Sequence, residues 1–184
     1  STEKVLKIEP DVYTVTSTDI LLEQQNISQE LQKLSSYSTY TPKNPCVTLD
    51  PYDIAPLSAI ASFKTDKPAS ISVEIESKNG ATNVTNEFET LSTEHQIPIY
   101  GLYENEATNV KLTAKYQDGT SETSTISVTG KSLPSDFVPV GVEKADATQM
   151  ADGWTFIMAG SLQGYIYAID ETGAVRWMLS EKGL

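Results

Sequence analysis

The sequence is poor in the residues on which most catalytic sites depend. Its 184 residues include one histidine, one cysteine and one arginine. Zinc sites built from several histidines, Cys-x-x-Cys clusters and His–Cys dyads all need residues that are missing. A single cysteine also excludes an internal disulfide and leaves the redox compartment open. If the polypeptide belongs to an enzyme, we expect the chemistry to lie outside this chain, with no catalytic, cofactor-binding or metal-binding residue within it.

Positive charge is scarce as well. The 13 lysines and arginines face 25 aspartates and glutamates, which gives a formal net charge of −12. Phosphate backbones and anionic membranes require clustered cations, so nucleic acid is excluded as an expected partner. No apolar run approaches the roughly 18 residues that cross a bilayer, and Ser1 to Pro10 lacks the layout of a secretion signal. The chain is therefore predicted to have no membrane-spanning segment.

Residues 1–40 are predicted to form an extended arm and a helix. Four apolar residues in Ser17 to Leu34 follow the helical period and so share one face: Ile20, Ile27, Leu31 and Leu34. Ser17, Thr18 and Asp19 offer oxygens for the N-cap, and Asn26 is the point where a second helical stretch would start if the first is broken. The apolar stripe predicts docking on the next domain or, alternatively, a subunit contact.

Residues 41–133 change to a period of two, which is typical of strands. Ile71, Val73 and Ile75 alternate with polar residues and lead into Lys78-Asn79-Gly80, a hairpin-turn signal. The predicted strands are Cys46 to Leu49, Leu57 to Phe63, Ser70 to Glu76, Val84 to Phe88, Glu94 to Ile99, Val110 to Tyr116 and the run through Ile126 and Val128. Seven short strands in about ninety residues predict an antiparallel β-sandwich of the immunoglobulin or fibronectin-III type.

Residues 134–184 are predicted to begin a different unit after a linker at 131–136. Three apolar strands follow, at Trp154 to Ala159, Tyr165 to Ile169 and Ala174 to Leu179. They are nearly apolar on both faces, which implies cover on both sides. The blade of a β-propeller is packed in this way between two neighbours, so we expect the start of a propeller here.

Three segments in order resemble the bacterial arylsulfate sulfotransferases. Residues 49–59, LDPYDIAPLSA, resemble the family's DPYG-x-APL-x-A stretch. Residues 98–103, PIYGLY, resemble its PI-aromatic-GLY segment, and residues 167–177, YAIDETGAVRW, resemble its DTEG-x-x-RWW blade hairpin. The similarity runs from about Tyr40 to the end of the sequence.

This resemblance implies a mainly β architecture: an N-terminal helix, the sandwich and then a six-bladed propeller. It also implies transfer of a sulfuryl group from a phenolic sulfate donor to a phenol acceptor, in a ping-pong mechanism with a histidine as the transient carrier. That histidine would lie downstream of this fragment, which is itself expected to be inactive. A homodimer and an extracytoplasmic location, periplasmic, secreted or surface-anchored, are further expectations.

The single histidine, arginine and cysteine each have a structural interpretation that we prefer. His95 lacks nearby cations and is predicted at the surface or at a strand edge rather than as a nucleophile. Arg176 lies in the hairpin motif and is predicted to be outward and solvated rather than to clamp sulfate. Cys46 begins a strand and is predicted to be a small buried hydrophobe rather than a reactive thiol.

Carboxylate pairs and one aromatic pair complete the candidates. The pairs Asp50/Asp53, Asp118/Glu122 and Asp170/Glu171 stand at turns, where aspartate caps backbone donors, and no calcium-loop pattern accompanies them. For Tyr100 and Tyr103, which flank Gly101 in the sequence, a packed corner is favoured over an exposed patch.

Two other functions remain open on the sequence. One is a sandwich-plus-propeller binding or adhesion protein without catalysis, and the other is a quinoprotein-like propeller. The sequence also makes a physical prediction about five aromatic residues, Trp154, Phe156, Tyr165, Tyr167 and Trp177. Without a neighbouring blade, they must associate with another chain or fold back on the sandwich.

Overall fold

A computed structural model describes residues 17–139, 147–149, 153–157 and 165–180 of the chain. The predicted arm before residue 17 and the predicted strand positions Met158 and Ala159 lie outside the described residues. Within them, the elements are α1 (Ser17–Ser36), β1 (Cys46–Leu49), β2 (Ser58–Ile75), β3 (Val84–Tyr100), β4 (Ala107–Tyr116), β5 (Ser121–Thr129), β6 (Ala147–Gln149), β7 (Thr155–Ile157), β8 (Ile166–Ile169) and β9 (Val175–Leu179).

The first sheet, β1 to β5, is one antiparallel sheet that curls on itself. Residues 59–62 of β2 pair with β1, whereas residues 69–75 pair with β4, and β3 follows β2 along both halves. The ladder between β2 and β3 is irregular from Lys64 to Ala69 of β2. Pro68 lies in this stretch, where proline costs no ladder hydrogen bond. Alternating side chains of both halves share one buried core. The mainly β, immunoglobulin-like class is therefore confirmed.

The seven predicted strands are all present, but four of them are joined in pairs. The segments 57–63 and 70–76 are the two halves of β2, and 84–88 and 94–99 fall in the two halves of β3. The turn between β2 and β3 has positive φ at Asn79 and Gly80, as a primed hairpin turn requires. The sequence pattern breaks between the halves of β2 because the bend exposes polar residues there, although the strand itself continues through the irregular stretch of the ladder.

The helix α1 packs on the first sheet. Its stripe of Ile20, Ile27, Leu31 and Leu34 is buried or half-buried, and the helix contacts β2 and β3. Gln96 Nε2 donates to Ser35 Oγ at 2.6 Å, and the hydroxyls of Ser28 and Tyr52 are 2.8 Å apart. The helix is continuous through Asn26, so no second helical stretch starts there. Of the two predicted roles of the apolar stripe, the structure shows docking on the adjacent sheet.

The second sheet, in the order β6-β7-β8-β9, is antiparallel, and its residues contribute to two hydrophobic clusters. Three of its strands match the predicted meander, and the short strand β6 was not predicted. One group of its residues, including Trp154 and Ala168, joins the core of the first sheet. Tyr167 and Met178 belong to a separate cluster against which Phe137 packs. Trp154, Phe156 and Trp177 thus fold back on the sandwich, which is one of the two predicted outcomes, whereas Tyr165 and Tyr167 pack in the separate cluster.

The expected surface position of His95 is wrong, because its side chain is only 4% exposed. The register of β2 and β3 sets it opposite Phe63, and the two rings stack with centroids 5.0 Å apart. The Thr65 hydroxyl donates to the Lys67 carbonyl at 2.8 Å and so accepts from His95 Nε2 at 3.0 Å. Burial lowers the pKa of His95 to about 4.

Stability is therefore expected to fall as the pH drops from about 6.5 towards 4. The unfolded chain binds a proton at His95 in this range while the folded chain does not, which removes about 2 kcal/mol of unfolding free energy by pH 5. Urea denaturation at pH 7 and pH 5 measures the loss. The variant His95→Gln should remove most of the difference between the two pH values, and an unchanged difference would contradict the assignment to His95.

Candidate functional site

The candidate site is the junction where the second sheet meets the first. Arg176 of β9 is completely buried there, so the prediction of an outward, solvated arginine is wrong. Its Nε and Nη2 atoms donate to the Gly101 carbonyl at 3.2 and 2.9 Å, and Nη1 donates to Asp170 Oδ2 at 2.9 Å. The guanidinium carbon lies 4.2 Å from the centroid of the Tyr103 ring. The one arginine of the sequence thus joins the two sheets.

Asp170 is held in place by its own turn. Its Oδ1 accepts from the backbone N–H of Thr172 at 2.8 Å, from the Thr172 hydroxyl at 2.6 Å and from the N–H of Ala174 at 3.2 Å. Burial opposes ionisation of this carboxyl, but the hydrogen bonds from Thr172 and the ion pair with Arg176 outweigh it and hold its pKa below the usual range. Asp170 therefore faces Arg176 as a fixed anion.

The first sheet contributes a tight corner at Tyr100, Gly101 and Tyr103. Gly101 has φ +96°, and a Cβ placed on it would lie 2.9 Å from the indole ring of Trp154. Tyr103 is buried, and its hydroxyl accepts from the backbone N–H of Lys78 at 2.7 Å. Tyr100 is 42% exposed. The packed corner predicted for the pair is thus built by Tyr103, while Tyr100 lies at the surface.

A second contact across the junction joins two exposed turns. The hydroxyl of Thr82 donates to Glu171 Oε1 at 2.5 Å, and the backbone N–H of Thr82 lies 3.3 Å from Glu171 Oε2. The hydrogen bond from the Thr82 hydroxyl lowers the pKa of the Glu171 carboxyl. On the far side, the backbone N–H of Ser180 donates to the Ile54 carbonyl at 2.8 Å. Polar contacts thus flank the arginine on both sides.

The other predicted candidates have structural roles. Asp50 Oδ1 caps the backbone N–H groups of Ile54 and Ala55 at 2.9 and 2.8 Å. Asp118 pairs with Lys67 at 2.7 Å and accepts from Thr120, and these contacts hold its pKa far below the usual range.

Cys46 and the two remaining carboxylates do not gather into a site either. Cys46 is half-buried, and its contact with the Tyr40 hydroxyl raises the pKa of that phenol. Asp53, in the same turn as Asp50, has positive φ, and Glu122 accepts from the Tyr116 hydroxyl at 3.2 Å. Among the residues that the structure describes, no group of three or more carboxylate, histidine or cysteine side chains is placed to hold a metal.

Two clefts border the junction. The larger, of about 530 Å³, has among its described lining residues Tyr103, Glu104, Glu106 and Phe137. The smaller, of about 230 Å³, is lined mainly by apolar and aromatic residues that include Tyr52, Tyr100 and Trp177. A sulfuryl group in transfer needs a nucleophile and cationic donors around its oxygens. The described lining residues of these clefts supply carboxylates and aromatic rings but no cationic side chain. They are therefore not suited to hold the sulfuryl oxygens during transfer.

Residues 46–131 match the family model of the arylsulfotransferase Ig-like domain. This segment is an arylsulfotransferase Ig-like domain. It contains β1 to β5 and therefore the Gly101 and Tyr103 half of the junction, whereas Asp170 and Arg176 lie beyond it. The junction is thus the surface through which this domain contacts the second sheet. No curated protein sequence matches the chain, and among the described residues no helix combines the length and apolar character needed to cross a bilayer.

Sequence reasoning missed the partners of Arg176. The Gly101 carbonyl accepts from Arg176, which is 75 positions away in the sequence. Gly101 also lies against the indole of Trp154, which is 53 positions away. The available signal was local. An aspartate that caps its own turn stands six residues before the one arginine of the sequence, and the other residues in the strand of that arginine are all apolar. A charged residue in such a strand is buried only with a partner.

Removing either partner of the buried pair should strongly destabilise the chain. Arg176→Gln and Asp170→Asn each leave an unpaired polar group or charge in the core, which costs about 3–5 kcal/mol. Urea denaturation followed by tryptophan fluorescence measures the loss. Lys111→Gln, which removes an exposed pair with Glu74, is the matched control and should cost less than about 1 kcal/mol. Equal losses in the three variants would contradict the structural role of Arg176.

The corner at Gly101 should not tolerate a methyl group. Gly101→Ala combines a positive φ with a Cβ against the Trp154 ring, whereas Gly80→Ala has a similar φ of +82° and no atom within 4 Å of the new Cβ. The control therefore carries the backbone strain alone. We expect Gly101→Ala to lower the unfolding free energy by about 1–3 kcal/mol more than Gly80→Ala does, from overpacking. Equal values in thermal or urea denaturation would show that the corner is not tightly packed.

Proposed function

We propose that this chain is the N-terminal, non-catalytic part of an arylsulfate sulfotransferase. The observation that carries the proposal is the arylsulfotransferase Ig-like domain at residues 46–131. Its described side chains form a packed core, capped turns and a junction, and they assemble no cationic site for a sulfate ester. The domain then acts as a support: it fixes the second sheet, and through it the catalytic part of the protein, and it helps to pair subunits.

The second sheet is, in this proposal, the first blade of a propeller that comes after the Ig-like domain. Its four antiparallel strands have the number and pairing of a propeller blade. Its apolar faces need cover on both sides, and the Ig-like domain supplies one side through Trp154 and Ala168. The domain division at 1–40, 41–133 and 134–184 belongs to the same proposal.

The reaction follows from the family and from the demands of sulfate esters. In the first half, the S–O bond to the donor phenolate breaks as an N–S bond forms at a histidine of the catalytic part. In the second half, an acceptor phenol gives up its proton to a base, its oxygen attacks sulfur and the N–S bond breaks. Neither half needs a cofactor. Cationic donors must surround the three sulfuryl oxygens in both halves, and we place them downstream of residue 184, in an extracytoplasmic protein.

Activity of the full-length protein tests this proposal. With 4-nitrophenyl sulfate as donor and phenol as acceptor, we expect release of 4-nitrophenol that depends on phenol, formation of phenyl sulfate, and parallel double-reciprocal plots from the ping-pong mechanism. The 184-residue chain alone, assayed as the control, should release none. A full-length protein that moves no sulfuryl group to any phenol would overturn the proposal and favour a binding or adhesion role.

A further inference from the structure

Among the residues that the structure describes, the last strand of the Ig-like domain has no neighbour along one of its edges. β5 pairs with β4 on one side and ends the path of the first sheet. The N–H of Tyr116 donates to the Thr120 carbonyl at 2.8 Å, which marks the bonded pairs of this ladder. Because bonded and non-bonded pairs alternate, the N–H and C=O groups that point away from β4 belong to alternate residues. These are Ser121, Thr123, Thr125, Ser127 and Thr129, all exposed.

This edge lacks the devices that normally prevent pairing. Proteins protect edge strands with lysines, prolines, bulges or short length. β5 has nine residues in unbroken register with β4, and Glu122 is its one charged residue. The other edges among the described strands differ: β1, β6 and β9 have four, three and five residues, and the outer part of β3 carries Glu87 and Glu89. β5 is therefore the described edge best suited to accept another strand.

The sequence of β5 is complementary to itself. In an antiparallel pair centred on Thr125, Ser121 faces Thr129 of the second copy and Thr123 faces Ser127. Hydroxyl side chains then lie opposite hydroxyl side chains, which is a favourable cross-strand pairing. Glu122 faces Val128, so the one carboxylate of each strand avoids its counterpart. All five outward backbone positions find partners in this register.

We propose that two copies of this chain pair through β5 in a two-fold, antiparallel register centred on Thr125. The first sheets of the two copies then form one continuous sheet across the dimer. A contact in which the same patch is used on both copies closes on itself and does not propagate into a filament. The proposal rests on the subunit pairing in the proposed function and names the surface that performs it.

Oligomeric state tests the pairing directly. Sedimentation velocity of the 184-residue chain should show a concentration-dependent species of twice the 20.1 kDa chain mass. Thr125→Pro removes an N–H that points away from β4, so the intramolecular ladder is kept, and Thr125→Lys sets two like charges opposite each other. Each variant should raise the dimer dissociation constant at least tenfold while circular dichroism and thermal unfolding stay close to those of the parent. A chain that is monomeric throughout, or a dimer that these variants leave unchanged, overturns the proposal.

Site-specific cross-linking tests the register. In a Cys46→Ser background, Thr125→Cys should form a disulfide-linked dimer on oxidation, because the paired Cα atoms are about 5.5 Å apart. Ser121→Cys is the matched control on the same strand: two copies of it lie roughly 27 Å apart in this register and should not cross-link. A mixture of Ser121→Cys and Thr129→Cys chains should form the mixed dimer. Cross-linking of Ser121→Cys with itself in preference to Thr125→Cys would refute the register.

The two proposals fail separately. Mass and cross-linking are measured on the 184-residue chain and need no sulfotransfer, so a monomer leaves the activity proposal untouched. An inactive full-length protein that still pairs through Thr125 would overturn sulfotransfer alone. A dimer that is insensitive to Thr125 would retain subunit pairing and reject β5 as its surface.

Discussion

The structure depends on one buried positive charge. The Arg176 guanidinium has no access to water, and removing such a group from water without partners costs several kcal/mol. The guanidinium finds its partners in the Asp170 carboxylate, the Gly101 carbonyl and the Tyr103 ring. Two of the three belong to the first sheet and one to the second. A shift of one sheet against the other by more than about an ångström would break these hydrogen bonds, so the charge fixes where the sheets meet.

Apolar burial and the arginine have different roles at this junction. Trp154 and Ala168 join the core of the first sheet, and such contacts favour association without specifying direction. The guanidinium is a planar fork whose donors must meet acceptors at set angles. Its two bonds to the Gly101 carbonyl and one to Asp170 therefore specify orientation. In the proposed function, the Ig-like domain contributes to catalysis in this way, because it fixes the orientation of the second sheet.

The sequence predicted local features well and long-range partners poorly. Alternation located all seven strand segments because burial repeats every second residue along a strand, but it missed that β2 and β3 run through the bend, since Asp66, Lys67 and Pro68 look like a loop. His95 and Arg176 were placed at the surface because polar residues usually are. Their burial depends on Phe63 and Gly101, which are 32 and 75 residues away, and only the register of the folded sheets brings them together.

The acidity of the chain and its polar β5 edge have a common physical consequence. A net charge of −12 makes two copies repel each other wherever their carboxylates approach. Association through side chains would therefore need patches from which acidic residues are absent. The outward positions of β5 meet this condition, because they are all serine or threonine and present backbone dipoles rather than charge. Ionic screening weakens the remaining long-range repulsion but leaves backbone hydrogen bonds largely unaffected, so pairing through β5 should strengthen as salt is added, whereas a contact held by ion pairs would weaken.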